Sequence, residues 1–116
     1  MSFDKNKLPK RFQDKIDKDL NYLLNKDIPG LIQICLFGSL ARGDYKWDSD
    51  VDLALVTEEP LTDHYLRGEI IDILDDRDFN GVSTDVVFRT KNNDSLSRTF
   101  DKVFERDKVI LWENRK

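Results

Sequence analysis

The chain of 116 residues lacks most features of secreted and membrane proteins. Its single cysteine, Cys35, has no partner for an internal disulfide, which favours a reducing compartment and a core position in an apolar run. No apolar stretch approaches membrane-spanning length, and segment 1–12 lacks the apolar core of a signal peptide. Repeats and low-complexity tracts are also missing. We therefore expect one cytoplasmic domain, residues 1–116, without membrane contact.

Long blocks of one charge sign are also missing. The 19 basic and 23 acidic residues give 19 − 23 = −4, and both signs are interspersed. Generic binding to nucleic acid depends on a basic surface that neutralises phosphates, so this function is not expected. The length allows one core but no separate acceptor-binding domain, which indicates that any acceptor is supplied by another molecule.

Hydrophobic periodicity predicts alternating helices and strands. The predicted strands are 31–37, 50–56, 82–88 and 109–112. The predicted helices are 9–25, a short turn at 39–42, a helix capped by Thr62 or Asp63 that buries Leu66, Ile70, Ile73 and Leu74, and a last helix capped by Asn93 or Asp94 that carries Leu96, Phe100, Val103 and Phe104. This order predicts an α/β or α+β domain, in which helices flank a small mixed sheet.

The apolar run 31–37 leads directly into a Gly38-Ser39 turn, which Leu40, Ala41, Arg42 and Gly43 follow. Such a turn offers backbone N–H groups and a hydroxyl to phosphate. Arg42 is either an extra countercharge for phosphate or a structural residue that pairs with a nearby aspartate.

Asp50 and Asp52 lie within the next predicted strand. Residues two apart in a strand share a face, with Cα atoms about 7 Å apart, so both carboxylates are close enough for one metal site. The spacing alone carries little information because it recurs elsewhere in the chain. On a helix or at a helix end it predicts solvated surface, as for Asp17/Asp19 and Asp76/Asp78, and we expect Asp48 to be a bystander.

Asp85 is the candidate for a third carboxylate, because it interrupts an otherwise apolar predicted strand. A charge in the middle of a strand is costly unless a metal or a partner compensates it. The alternative is an edge strand on which Asp85 faces water. His64, the sole histidine, begins a predicted helix and is expected at the surface. Tyr45 and Trp47 either stack on a base, meet a partner or pack the loop onto the domain.

Together, the Gly-Ser turn, the Asp-x-Asp pair and the later acidic residue resemble the minimal nucleotidyltransferases of the DNA polymerase β-like superfamily. The resemblance covers most of the chain and implies that superfamily's fold. It implies that Asp50, Asp52 and Asp85 are the catalytic, metal-binding residues and hold two Mg²⁺ ions. It also implies that Gly38, Ser39 and Arg42 bind the phosphates of ATP.

Short members of this family are similar to antitoxins that add AMP to a tyrosine of an all-helical HEPN ribonuclease toxin. The resemblance therefore implies an AMP-transferring antitoxin with a HEPN-type partner. One alternative is nucleotidyl transfer to a small molecule or an RNA end. Another is a binding module that neutralises its partner without chemistry.

Overall fold

Helices and strands alternate along the chain. The computed structural model describes residues 4–77, 80–91 and 98–114. A 3-10 turn at Lys5–Lys7 precedes helix α1 (Lys10–Asn25), strand β1 (Leu31–Phe37), helix α2 (Gly38–Arg42), strand β2 (Val51–Thr57), helix α3 (His64–Leu74), strand β3 (Thr84–Thr90), helix α4 (Arg98–Asp107) and strand β4 (Val109–Glu113). Among the described residues, no helix is both long enough and apolar enough to cross a membrane.

The four strands form one sheet in the order β3-β2-β1-β4. Strands β2 and β3 are parallel, whereas β1 runs antiparallel to both β2 and β4. The predicted mixed sheet is therefore confirmed. This topology brings the beginnings of β2 and β3 and the end of β1 together at one edge of the sheet, the edge that is formed by the ends of the strands.

Both faces of the sheet are covered, because the side chains of β2 alternate between two apolar clusters. Val51, Leu53 and Leu55 face the main core, which α1 and α3 complete with Phe12, Ile16, Leu23, Ile70 and Leu74. On the opposite face, Ala54 and Val56 pack with Cys35 and with Phe104 of α4. The core position predicted for Cys35 is confirmed, since the side chain is fully buried.

The predicted bounds of α1 and the predicted cap of α3 agree closely with the structure, whereas Ile73 of α3, predicted to be buried, is exposed. Helix α1 begins directly after Pro9, a residue that the first turn of a helix tolerates. Asp63 caps α3 by accepting hydrogen bonds from the amides of Tyr65 and Leu66, each 3.1 Å long. The last predicted helix corresponds to α4, but its predicted cap, Asn93 or Asp94, and Leu96 lie outside the described residues.

The predicted start of the third strand is wrong by two residues. Pairing with β2 begins at Thr84, which is opposite Val51, and Val82 enters the core from the preceding loop. Asp85 is therefore the second residue of β3 and not its middle. Because β3 is an edge strand, water reaches Asp85, and its side chain is exposed. The edge-strand alternative describes its position correctly.

Candidate active site

The Gly38 turn touches the Asp52 carboxylate. Gly38 follows the last residue of β1, Phe37, which is the register partner of Asp52. Its φ is +75°, in the left-handed region that favours glycine. A Cβ at this position would clash with the Asp52 side chain. Glycine is therefore required twice, by the backbone conformation and by the proximity of the carboxylate.

Asp52 and Asp85 are direct register neighbours on the parallel strands β2 and β3. Asp50 immediately precedes β2, and its Oδ1 accepts a hydrogen bond of 2.9 Å from Ser83 Oγ. The same oxygen lies 3.6 Å from Arg77 Nη2. The structure thus brings all three predicted carboxylates to one edge of the sheet, and it holds Asp50 by two contacts that the sequence did not indicate.

Burial, followed by the negative charges of Asp85 and Asp50, raises the pKa of Asp52 to about 6. Arg42 opposes this effect. A divalent cation would stabilise such a group of carboxylates, and carboxylate oxygens are the ligands that Mg²⁺ prefers. Among the residues described, however, no three acidic, histidine or cysteine side chains already surround a common metal position. The donor chemistry of the three carboxylates fits the ion.

A depression of about 450 Å³ opens beside these carboxylates. Asp52 and Asp85 line it together with Phe37 at the end of β1 and with Ile71 and Asp75 of the α3 region. The carboxylates are therefore accessible from the side of the sheet that β3 borders.

Ser39 and Arg42 lie on the short helix α2, directly after the turn. The guanidinium of Arg42 donates a hydrogen bond of 3.1 Å from Nε to Asp44, and its Nη1 lies 3.6 Å from Asp107. The structural pairing that the sequence left open is therefore present. Arg42 nevertheless remains near enough to Asp52 to lower its pKa.

Tyr45, Trp47 and Asp48 lie in the loop between α2 and β2, and they differ in their exposure to solvent. Tyr45 packs edge-on against Phe12 with ring centroids 5.7 Å apart, so it fixes the loop to the domain. Trp47 is 79% exposed, and Asp48 is also exposed. His64 lies at the exposed start of α3, as predicted.

The expectation that Asp17 and Asp19 are both solvated is wrong for Asp19. Asp17 is exposed, whereas Asp19 is fully buried and forms an ion pair of 2.7 Å with the buried Lys15. Burial raises the pKa of Asp19, although the hydrogen bonds from Lys15 and Thr84 oppose the rise. The sequence does contain an indication of this burial, because Lys15 and Asp19 lie at helical spacing on the same face as the apolar residue Phe12. Of Asp76 and Asp78, which were also expected at the surface, Asp76 is partly exposed, and Asp78 lies outside the described residues.

A mixed sheet with a Gly-Ser turn against an aspartate pair is the arrangement expected of a nucleotidyltransferase. The family described as "Nucleotidyltransferase domain" matches residues 11–111. The chain therefore belongs to the nucleotidyltransferase domain family. A comparison with curated proteins finds no match.

Solved structures support the same fold. A chain of a toxin-antitoxin complex with AMP-PNP is 27% identical, with a TM-score of 0.61, over 88% of this chain and 73% of that one. A complex of a tri-AMPylated Shewanella oneidensis HEPN toxin with an MNT antitoxin gives 25% identity and a TM-score of 0.58, over 88% and 72%. A nucleotidyltransferase-like protein from Sulfolobus solfataricus, 23% identical over 89% and 81% with a TM-score of 0.57, shares the fold.

Proposed function

We propose that this chain transfers AMP from ATP to a tyrosine of a HEPN ribonuclease toxin and thereby acts as its antitoxin. The observation that carries the proposal is the meeting of the Gly38 turn, Asp52 and Asp85 at one sheet edge. Similarity to toxin-antitoxin structures, one with AMP-PNP and one with an AMPylated toxin, supports both the nucleotide and the acceptor. We also propose that residues 1–116 form a single domain and that it works in the cytoplasm.

In the proposed site, Asp50 and Asp52 would hold two Mg²⁺ ions together with the triphosphate, and Asp85 would be a further ligand on the side of the acceptor. The ions would supply charge neutralisation at the phosphates and lower the pKa of the attacking hydroxyl. The backbone N–H groups after Gly38 and the hydroxyl of Ser39 bind the β- and γ-phosphates, because both are hydrogen-bond donors.

Arg42 adds positive charge beside the phosphates while Asp44 and Asp107 hold its guanidinium. Transfer forms a bond between the tyrosine oxygen and the α-phosphorus and breaks the bond from that phosphorus to the β-bridging oxygen. Pyrophosphate leaves, and the phenolic proton passes to the acceptor-side carboxylate, Asp85, or to water. The exposure of Asp85 supports this role, since a protein-borne tyrosine must reach it.

The test is incubation with a HEPN toxin, MgCl₂ and each nucleoside triphosphate in turn, followed by intact-mass analysis of the toxin. We expect a mass gain of one or more AMP groups with ATP and none in EDTA. Asp50→Asn should abolish the gain. Asp48→Asn is the matched control, because this aspartate lies two residues away and is exposed. Loss of transfer in Asp48→Asn with retention in Asp50→Asn would contradict the assignment of the site.

The same experiment distinguishes the alternatives. Neutralisation of the toxin by Asp50→Asn without any mass gain would indicate a binding module. Absence of toxin modification, together with incorporation of labelled nucleotide into an RNA end or a small molecule, would indicate another acceptor.

A further inference from the structure

Below the candidate active site, helix α1 carries a fully buried ion pair. Lys15 Nζ lies 2.7 Å from Asp19 Oδ1, and neither side chain is exposed to solvent. The removal of two charges from water costs about as much as their attraction returns, so a buried pair is weak evidence of a stabilising role. The other contacts of the pair indicate a different role.

Each partner of the pair also binds a different segment of the chain. Asp19 Oδ2 accepts a hydrogen bond from Thr84 Oγ1, and Thr84 is the first residue of β3. Lys15 Nζ donates a hydrogen bond of 2.7 Å to the carbonyl of Leu74, the last residue of α3. The pair therefore joins α1 to the two segments that lead into the acidic edge of the sheet.

Both segments reach Asp50 within a few residues. Ser83, whose hydroxyl donates to Asp50, directly precedes Thr84. Arg77, which lies 3.6 Å from Asp50, follows Leu74 by three residues. On the other side, Thr84 is followed by Asp85.

The backbone of β3 is also connected directly to the backbone between Asp50 and Asp52. Thr84 is the register partner of Val51, the residue between Asp50 and Asp52, and the amide of Val51 donates a hydrogen bond of 3.0 Å to the carbonyl of Ser83. A displacement of Thr84 would therefore move Ser83, Asp85 and the ladder that carries the aspartate pair.

We propose that Lys15 and Asp19 form a positioning pair that acts through Thr84 and Leu74 to fix Asp50 and Asp85 for transfer. This inference rests on the proposed function. Charged partners suit the task because they form strong, directional hydrogen bonds, whereas apolar side chains at 15 and 19 would offer none to the Thr84 hydroxyl and the Leu74 carbonyl.

The first test compares Thr84→Val with Thr84→Ser. Valine keeps the shape but cannot donate to Asp19, while serine restores the hydroxyl. Because a misplacement of about 1 Å can cost 10²-fold in rate, we expect Thr84→Val to lower kcat about 10- to 100-fold. The KM for ATP should change less than kcat, because the turn at Gly38, the Ser39 hydroxyl and Arg42 are intact. Thr84→Ser should recover most of the rate, and equal kcat values for all three proteins would overturn the inference.

The second test removes the charges as a pair. Removal of both charges leaves no unpaired charge in the core, so Lys15→Met/Asp19→Leu should fold, with some loss of stability from the lost hydrogen bonds to Thr84 and Leu74, and should lose kcat. Lys10→Ala/Asp14→Ala is the matched control, because it removes an exposed pair with the same spacing on the same helix. A fully active Lys15→Met/Asp19→Leu protein would refute the positioning role.

Amide hydrogen exchange in the nucleotide-free protein separates this inference from the proposed function. We expect Thr84→Val to speed exchange of the Val51 amide about tenfold, and Thr84→Ser and Lys10→Ala/Asp14→Ala to leave it unchanged. If the wild-type protein transfers no AMP, the proposed function fails, and the exchange rates still test the positioning pair. Unchanged exchange in Thr84→Val would overturn it.

Discussion

Replacement of Asp52 by asparagine should stabilise the fold while it abolishes transfer. The pKa of Asp52 is raised from 3.8 to about 6, first by burial and then by Asp85 and Asp50. One pKa unit corresponds to about 1.4 kcal/mol, so ionisation of this group costs the folded state at most about 3 kcal/mol. Because the side chain is partly exposed, solvent screening reduces the expected gain to about 1–2 kcal/mol.

The sign of this effect sets its pH dependence. A carboxyl whose pKa is higher in the folded state binds its proton more tightly there. Its stabilising contribution to the free energy of unfolding is therefore complete below pH 3.8 and is lost as the pH rises through about 6. Asp52→Asn should therefore exceed the wild type in free energy of unfolding at pH 8, and the difference should disappear towards pH 3.8.

Urea unfolding in EDTA at pH 8 and at pH 4 measures this difference, with Asp48→Asn as the control for loss of an exposed carboxylate. A variant that is no more stable than the wild type at pH 8, or that gains equally at both pH values, would refute the reasoning. MgCl₂ should stabilise the wild type at pH 8 and leave Asp52→Asn nearly unchanged, since the variant lacks a proposed ligand.

Three further predictions concern the turn and the core. Gly38→Ala should abolish transfer and lower the free energy of unfolding by more than the roughly 1–2 kcal/mol that a left-handed alanine costs, because its Cβ also displaces Asp52; Gly43→Ala, with φ +91° and nothing within 4 Å, should cost only that amount and keep activity in the same assays. Arg42→Gln should raise the KM for ATP yet shift the unfolding midpoint little, because ion pairs of a solvent-accessible guanidinium contribute about 0–1 kcal/mol; an unchanged KM would limit Arg42 to a structural role. Burial raises the pKa of Cys35 to about 11, so iodoacetamide at pH 8 should label it in urea and not in the native protein, and rapid native labelling would contradict the core assignment.

The fold was largely predictable because local signals agreed with tertiary packing. The apolar run that became β1 and the Asp63 cap of α3 were both found within a residue of their observed positions. The start of β3 was missed because Val82 is apolar and looks like strand, although it is buried from a loop. Pairing with β2 decides where a strand begins, and that partner is distant in sequence.

The candidate site was predictable only in part, for the same reason. Its carboxylates and glycine stand in recognisable local patterns, whereas their supporting contacts come from separate elements. Ser83 and Arg77, which contact Asp50, lie 33 and 27 residues further along the chain. The buried Asp19 was overlooked because its polar neighbours suggested a solvated helix face, although its spacing to Phe12 placed it on the apolar stripe.

The peripheral location of β3 determines which acceptors the site admits. Asp85, the carboxylate that we propose for the acceptor side, stands on the outermost strand, and its side chain is exposed at the depression that it lines with Asp52 and Asp75. An exposed carboxylate on an edge strand can be reached by a group that is carried on a large molecule. Under the proposed function, selectivity therefore depends on how firmly a large acceptor docks alongside, and recognition and chemistry are divided between two polypeptides.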